Sequence, residues 1–146
     1  MEKQIKAKVL LVDDEEDFIS TLSQRLKVRG LTVAGATGGE EALKLVEEEP
    51  FDIIVLDLAM PGMDGLETLK IIKENHPDAE IIMLSGHGTV KTSIEAMKLG
   101  ADDFLEKPVD LKELLSKIDE ARNKRILILQ KQAKEEIKDI LKRKAW

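Results

Sequence analysis

At 146 residues, 42% hydrophobic and 36% charged, the chain has the size and composition of one globular domain with a core of its own. No apolar run approaches the ~20 residues of a membrane helix, the N-terminus lacks a cleavable signal, and the absence of cysteine excludes disulfides and thiolate metal sites. A cytoplasmic protein is expected. The net charge of −6 is uneven: residues 122–146 hold nine Lys/Arg and three Asp/Glu, or +6, which leaves −12 on residues 1–121. Such an acidic body suits a cation and not the phosphates of a nucleic acid.

Val9-Leu10-Leu11-Val12 reads as a first strand, and Asp13-Asp14-Glu15-Glu16 follow it into the first turn of a helix, where the macrodipole favours acids. That helix carries Phe18, Ile19, Leu22, Leu26 and Val28 on its apolar side and stops at Gly30. Leu31 to Ala36 forms a second strand. Thr37-Gly38-Gly39 turns into a helix marked by Ala42, Leu43, Leu45 and Val46, which Pro50 ends. Ile53-Ile54-Val55-Leu56 is a continuous apolar run, as expected of a central parallel strand buried on both faces. Asp57 closes it, and Met60-Pro61-Gly62-Met63-Asp64-Gly65 makes the turn.

Leu66, Leu69, Ile71 and Ile72 mark the third helix, Glu80 to Leu84 the fourth strand, and Val90, Ile94, Met97 and Leu99 the fourth helix, with Gly100 at its end. Asp102 to Glu106 is a short fifth strand before Lys107-Pro108, and Asp110 is placed to cap a helix through Leu111, Leu114, Leu115 and Ile118. Strands alternating with helices predict an α/β fold: a flavodoxin-like doubly wound (βα)5 with a central five-stranded parallel sheet, plus a C-terminal helical extension.

Four strands end in a chemically capable group: Asp13 and Asp14, Asp57, Ser85, and Lys107. A parallel sheet brings all of these to one edge, where open α/β folds hold ligands. Three close carboxylates repel each other and need a cation, and oxygen-only ligation with few protein donors suits Mg2+. Zinc is disfavoured, since His76 and His87 lie on separate segments. A lysine and a hydroxyl opposite a metal describe a phosphoryl site, with Asp57 as the nucleophile that forms an acyl phosphate.

With these residues in place the chain resembles the response-regulator receiver domains of two-component signalling, the CheY-like family. The resemblance covers about residues 7–121 and rests on Asp13-Asp14, Asp57 with MPGMDG, Ser85-Gly86 and Lys107-Pro108. It implies phosphoryl transfer to Asp57 from a sensor histidine kinase. It implies Mg2+ held by Asp13, Asp14, Asp57 and the Ala59 carbonyl, and phosphoryl contacts from Ser85 and Lys107. It also implies a cis Lys107–Pro108 bond and a switch aromatic at Phe104, coupled to Ser85. Ala59 and His87 would flank the attacking water and tune dephosphorylation. The wording GHGTVKTSIEAMKLGADDFLEKP is most similar to receivers of the NtrC/DctD kind, yet these 146 residues hold neither a Walker motif nor a helix-turn-helix.

Residues 122–146 carry Ile126, Leu129, Ala133, Ile137, Ile140 and Leu141 at helical spacing, and no Gly or Pro interrupts from Leu111 onward. The division expected is a receiver over 1–121 and a basic extension over 122–146. The extension continues the fifth helix as a dimer coil, or serves as a linker or a docking arm. A homodimer through the tail, or through the face of fourth helix, fifth strand and fifth helix, is the expected assembly, beside an unknown downstream protein. Two other functions compete with the switch. A haloacid-dehalogenase-type phosphatase also uses an Asp nucleophile, but it wants a second Asp where Ala59 stands; a degenerate scaffold would have no need of the acidic, hydroxyl and lysine set.

Overall fold

The computed structural model describes residues 6–58, 64–86 and 90–144. In chain order the elements are β1 (Lys8–Val12), α1 (Glu16–Val28), β2 (Thr32–Ala36), α2 (Gly39–Glu48), β3 (Ile53–Asp57), α3 (Gly65–Asn75), β4 (Ile81–Ser85), α4 (Val90–Lys98), β5 (Asp103–Glu106) and α5 (Leu111–Lys144). The strands form one parallel sheet in the order β2-β1-β3-β4-β5. This is the flavodoxin-like doubly wound order, and its direction of winding reverses between β1 and β3.

Side-chain alternation along the strands divides the core into two layers. Val9, Leu11, Ile53, Val55, Ile82, Leu84 and Leu105 face α1 and α5, where they meet Leu22, Leu26, Leu114 and Ile118. Leu10, Val12, Ile54, Leu56, Ile81 and Met83 face the other way, against Ala42, Leu69, Ile72 and Ala96. Because β3 and β4 are covered on both sides, every one of their residues is buried, whereas the edge strands β2 and β5 are only partly so. Helix ends follow local chemistry. Gly30 and Gly100 adopt positive φ after α1 and α4, which other residues tolerate poorly. Asp64 accepts from the Glu67 amide at 2.8 Å at the start of α3, and Asp110 accepts from Lys112 and Glu113 at the start of α5.

Two details differ from the sequence pattern. Val28 is 74% exposed, because α1 makes its last core contact at Leu26 and is turning into its C-cap. On α4 Ala96 is fully buried, with Leu99 packed against the same core layer, while Ile94 and Met97 are about half exposed. Ala96 holds the inward position, and at about 100° per residue Met97 and Ile94 fall about 100° and about 200° around the helix from it, toward solvent.

α5 is a single helix of 34 residues. Its first half buries Leu114, Ile118 and Ala121 and runs back toward the N-terminal edge of the sheet. Lys117 pairs with Asp103, Lys124 with Glu80 at 3.0 Å, and Arg125 donates to the Phe51 carbonyl at 3.0 Å. Residues 126–144 then extend about 28 Å further, past the edge opposite the strand C-termini. Ile126, Leu127, Leu129, Ile137, Ile140 and Leu141 are exposed there. At 3.6 residues per turn, the Ile126–Ala133–Ile137–Ile140 stripe lies about a quarter turn around the axis from the core-facing residues. The receiver's own core therefore cannot cover it. Among the described residues no helix is long and apolar enough to cross a membrane.

Candidate functional site

The reversal of winding leaves a crevice between the C-terminal ends of β1 and β3. Val12 and Leu56 are register partners, so the next residues, Asp13 and Asp57, come out side by side. Both are buried, with 1% and 5% exposure, while Asp14 is open to solvent. A carboxylate oxygen of each lies within 4.8 Å of the other two. Two buried acids and one exposed acid, offering only oxygen, fit a hard divalent cation reached from solvent; this cluster could bind a metal.

Lys107 enters from the loop after β5. Its Nζ donates to Asp13 Oδ2 at 2.6 Å and lies 4.0 Å from Asp57 Oδ2. Burial pulls the ammonium toward a lower pKa, but the Asp13 hydrogen bond and the charges of Asp57, Asp13 and Glu15 outweigh it, so the group titrates above the ordinary 10.5. The Lys107 amide donates to the Ser85 carbonyl at 2.8 Å, and the Lys107–Pro108 bond is cis. Those backbone features tie the lysine loop to the end of β4, where Ser85 is buried. Asp13 Oδ1 accepts from the Glu15 amide at 2.9 Å, which holds the turn into α1.

Asp13, Asp14, Asp57 and Lys107 thus meet at one point, and Ser85 closes the neighbouring strand at the same edge. The sequence profile of the response regulator receiver domain matches residues 9–119. The chain belongs to that family. A putative NtrX-like response regulator of Rickettsia bellii is 40% identical over 109 residues, covering 73% of this chain and 23% of the relative. The chain therefore spans about a quarter of the length of that curated relative. The solution structure of the beryllofluoride-activated NtrC4 receiver domain dimer is 43% identical with a TM-score of 0.75, covering 80% of this chain and 97% of that one. NtrX from Brucella abortus, at 31% identity and a TM-score of 0.75, covers 95% of this chain and 31% of its own. A match that leaves out only 5% of this chain takes in most of the long α5 as well as the receiver.

Phe104, the receiver's expected switch aromatic, lies on β5 opposite Met83 and packs half-buried against the α3 and α4 side of the core. The two remaining expected positions, Ala59 and His87, fall outside the described residues. Two residues gain importance from the structure. Gly65 seats the start of α3 directly on the end of β3: a Cβ there would meet the Asp57 carbonyl oxygen and stand 2.6 Å from Leu58 Cα. In sequence Gly65 is one more turn residue, and only the close backbone approach shows what it holds in place. Phe18 was legible as a core residue of α1, and it does pack on that layer. Its ring also lies under the Lys107 ammonium, 4.3 Å from Nζ to the centroid.

Proposed function

We propose that this receiver accepts a phosphoryl group on Asp57 from the phosphohistidine of a sensor histidine kinase, with Mg2+ as cofactor. The observation that carries the reading is the convergence of Asp13, Asp14, Asp57 and Lys107 on one crevice at the strand ends. An Oδ of Asp57 attacks phosphorus in line, the P–N bond breaks with its electron pair leaving on the imidazole, and an acyl phosphate remains. The Lys107 ammonium moves from Asp13 to a non-bridging oxygen of the phosphoryl group, and Ser85 Oγ donates to another. Asp13, Asp14, Asp57 and the Ala59 carbonyl would hold the metal, which when bound neutralises charge on the transferring oxygens. Water later cleaves the acyl phosphate, a step whose rate Ala59 and His87 would tune.

The acyl phosphate acts as a switch and not as a metabolic intermediate. Ser85 drawn toward the phosphoryl group frees space for Phe104 to turn inward, which biases the surface of α4 and β5. Ile94 and Met97 expose apolar area on that surface. On this reading residues 122–146 are an extension that continues α5 beyond the receiver of 1–121, and its exposed stripe pairs with a second copy; likeness to an activated receiver dimer supports self-association of the receiver part. The test is intact mass after incubation with acetyl phosphate and Mg2+. One added phosphoryl group, absent in Asp57→Asn and without metal, is expected. No gain in the wild-type chain would overturn the phosphoacceptor reading in favour of a scaffold, and steady turnover of p-nitrophenyl phosphate would favour a phosphatase.

A further inference from the structure

The Lys107 ammonium has two neighbours of different character. The Asp13 carboxylate holds it at 2.6 Å, and the face of Phe18 lies 4.3 Å away, on α1, an element remote in sequence. Asp57 is further off, at 4.0 Å. We propose that Phe18 is a positioning residue for Lys107: its ring keeps the ammonium over the crevice while the ammonium leaves Asp13 for the side of Asp57. This inference rests on the phosphoacceptor reading given above.

The physical case begins with the hold of Asp13. A hydrogen bond between ammonium and buried carboxylate is strong and directional, and it pins Lys107 to the wrong acid for contact with a group on Asp57. The negative face of an aromatic ring also attracts a cation, but over a broad area and without directional demand. An ammonium resting on that face can shift by an ångström or two and keep the attraction. The ring itself is held by packing against the α1 and α5 layer of the core, so it does not move with the lysine. It also covers one side of a lysine whose side chain is only 18% exposed, limiting the water that would compete for its protons. A leucine at position 18 would fill similar space without the quadrupole.

The test uses the full chain with Phe18 replaced by ring-fluorinated phenylalanines of rising fluorine content, which weaken the ring's negative face at nearly constant shape, together with Phe18→Leu and Phe18→Trp. The first readout is the hydrogen-exchange rate and 15N shift of Lys107 Nζ in metal-free protein. The second is the rate of phosphoryl uptake from acetyl phosphate. Exchange should quicken stepwise with fluorination, and uptake should slow by about three- to tenfold in the pentafluoro and Leu variants, while Trp restores both and Tm stays unchanged. A pentafluoro variant indistinguishable from wild type in both readouts would overturn the proposal. So would losses that follow Tm and not fluorine content. If the wild-type chain takes up no phosphoryl group, the phosphoacceptor reading fails, and the Nζ measurement still decides whether the ring holds the ammonium.

Discussion

Replacing Gly65 by Ala tests whether the seat of α3 positions the phosphoacceptor. The added methyl would stand 2.6 Å from Leu58 Cα and closer still to the Asp57 carbonyl, where ordinary contacts begin near 3.4 Å. Relief requires a shift of about 0.8 Å at Leu58 and more at Asp57, and both obstacles are backbone. Overpacking of this kind costs about 1–3 kcal/mol, and the gain of Ala over Gly, about 0.5–1 kcal/mol in mid-helix, is smaller at the first residue of α3. The net expectation is a loss of about 1–2 kcal/mol, read as a lower urea midpoint at unchanged m-value. The larger effect falls on chemistry. Misplacing a reacting group by ~1 Å can slow a reaction about 100-fold, so phosphoryl uptake from acetyl phosphate should fall by one to two orders of magnitude with the fold intact. Wild-type midpoint and uptake rate in Gly65→Ala would refute the reasoning that this contact sets the position of Asp57.

Asp57→Asn removes one of three mutually repelling carboxylates, so in chelator its Tm should rise by a few degrees, and the stabilisation of the wild type by millimolar Mg2+ should shrink in the variant; scanning calorimetry with and without metal reads both. Lys117 and Lys124 are raised above 10.5, chiefly by their hydrogen bonds to Asp103 and Glu80. A raised lysine pKa means the paired form is favoured in the folded state, so this stability is fully present below pH 10.5 and is lost as pH climbs through the folded values. Lys117→Gln with Lys124→Gln should therefore be less stable than wild type at pH 8 by a small, salt-sensitive margin that closes above pH 10.5, as thermal melts at several pH values would show. Ile137→Glu with Ile140→Glu should reduce self-association in sedimentation velocity and leave phosphoryl uptake at the wild-type rate; unchanged sedimentation would refute a second copy as the occupant of the stripe.

The fold was legible in the sequence because its signals are local. The apolar run at Ile53–Leu56 requires a strand covered on both faces, Gly30 and Gly100 require helix ends, and strict alternation of strands and helices requires parallel neighbours. The candidate site was legible for a related reason: a parallel sheet carries every strand end to one edge, so Asp13, Asp14, Asp57, Ser85 and Lys107 were bound to be near one another whatever the details. The uninterrupted run after Leu111 likewise announced the long α5.

What chain order could not decide is which of these groups touch. That Lys107 rests on Asp13 and stands off from Asp57, that Phe18 reaches beneath it from α1, and that Gly65 lies against Asp57 are distances between segments far apart in sequence. The outward turn of Ile94 and Met97 and the quarter-turn offset of the tail stripe are of the same kind. An apolar residue at helical spacing carries no record of which face its helix turns to the core. Sequence determined which groups this protein brings to the edge, because periodicity and turn chemistry act on neighbouring residues; only tertiary packing, which sets separations to a fraction of an ångström, decided how they face one another.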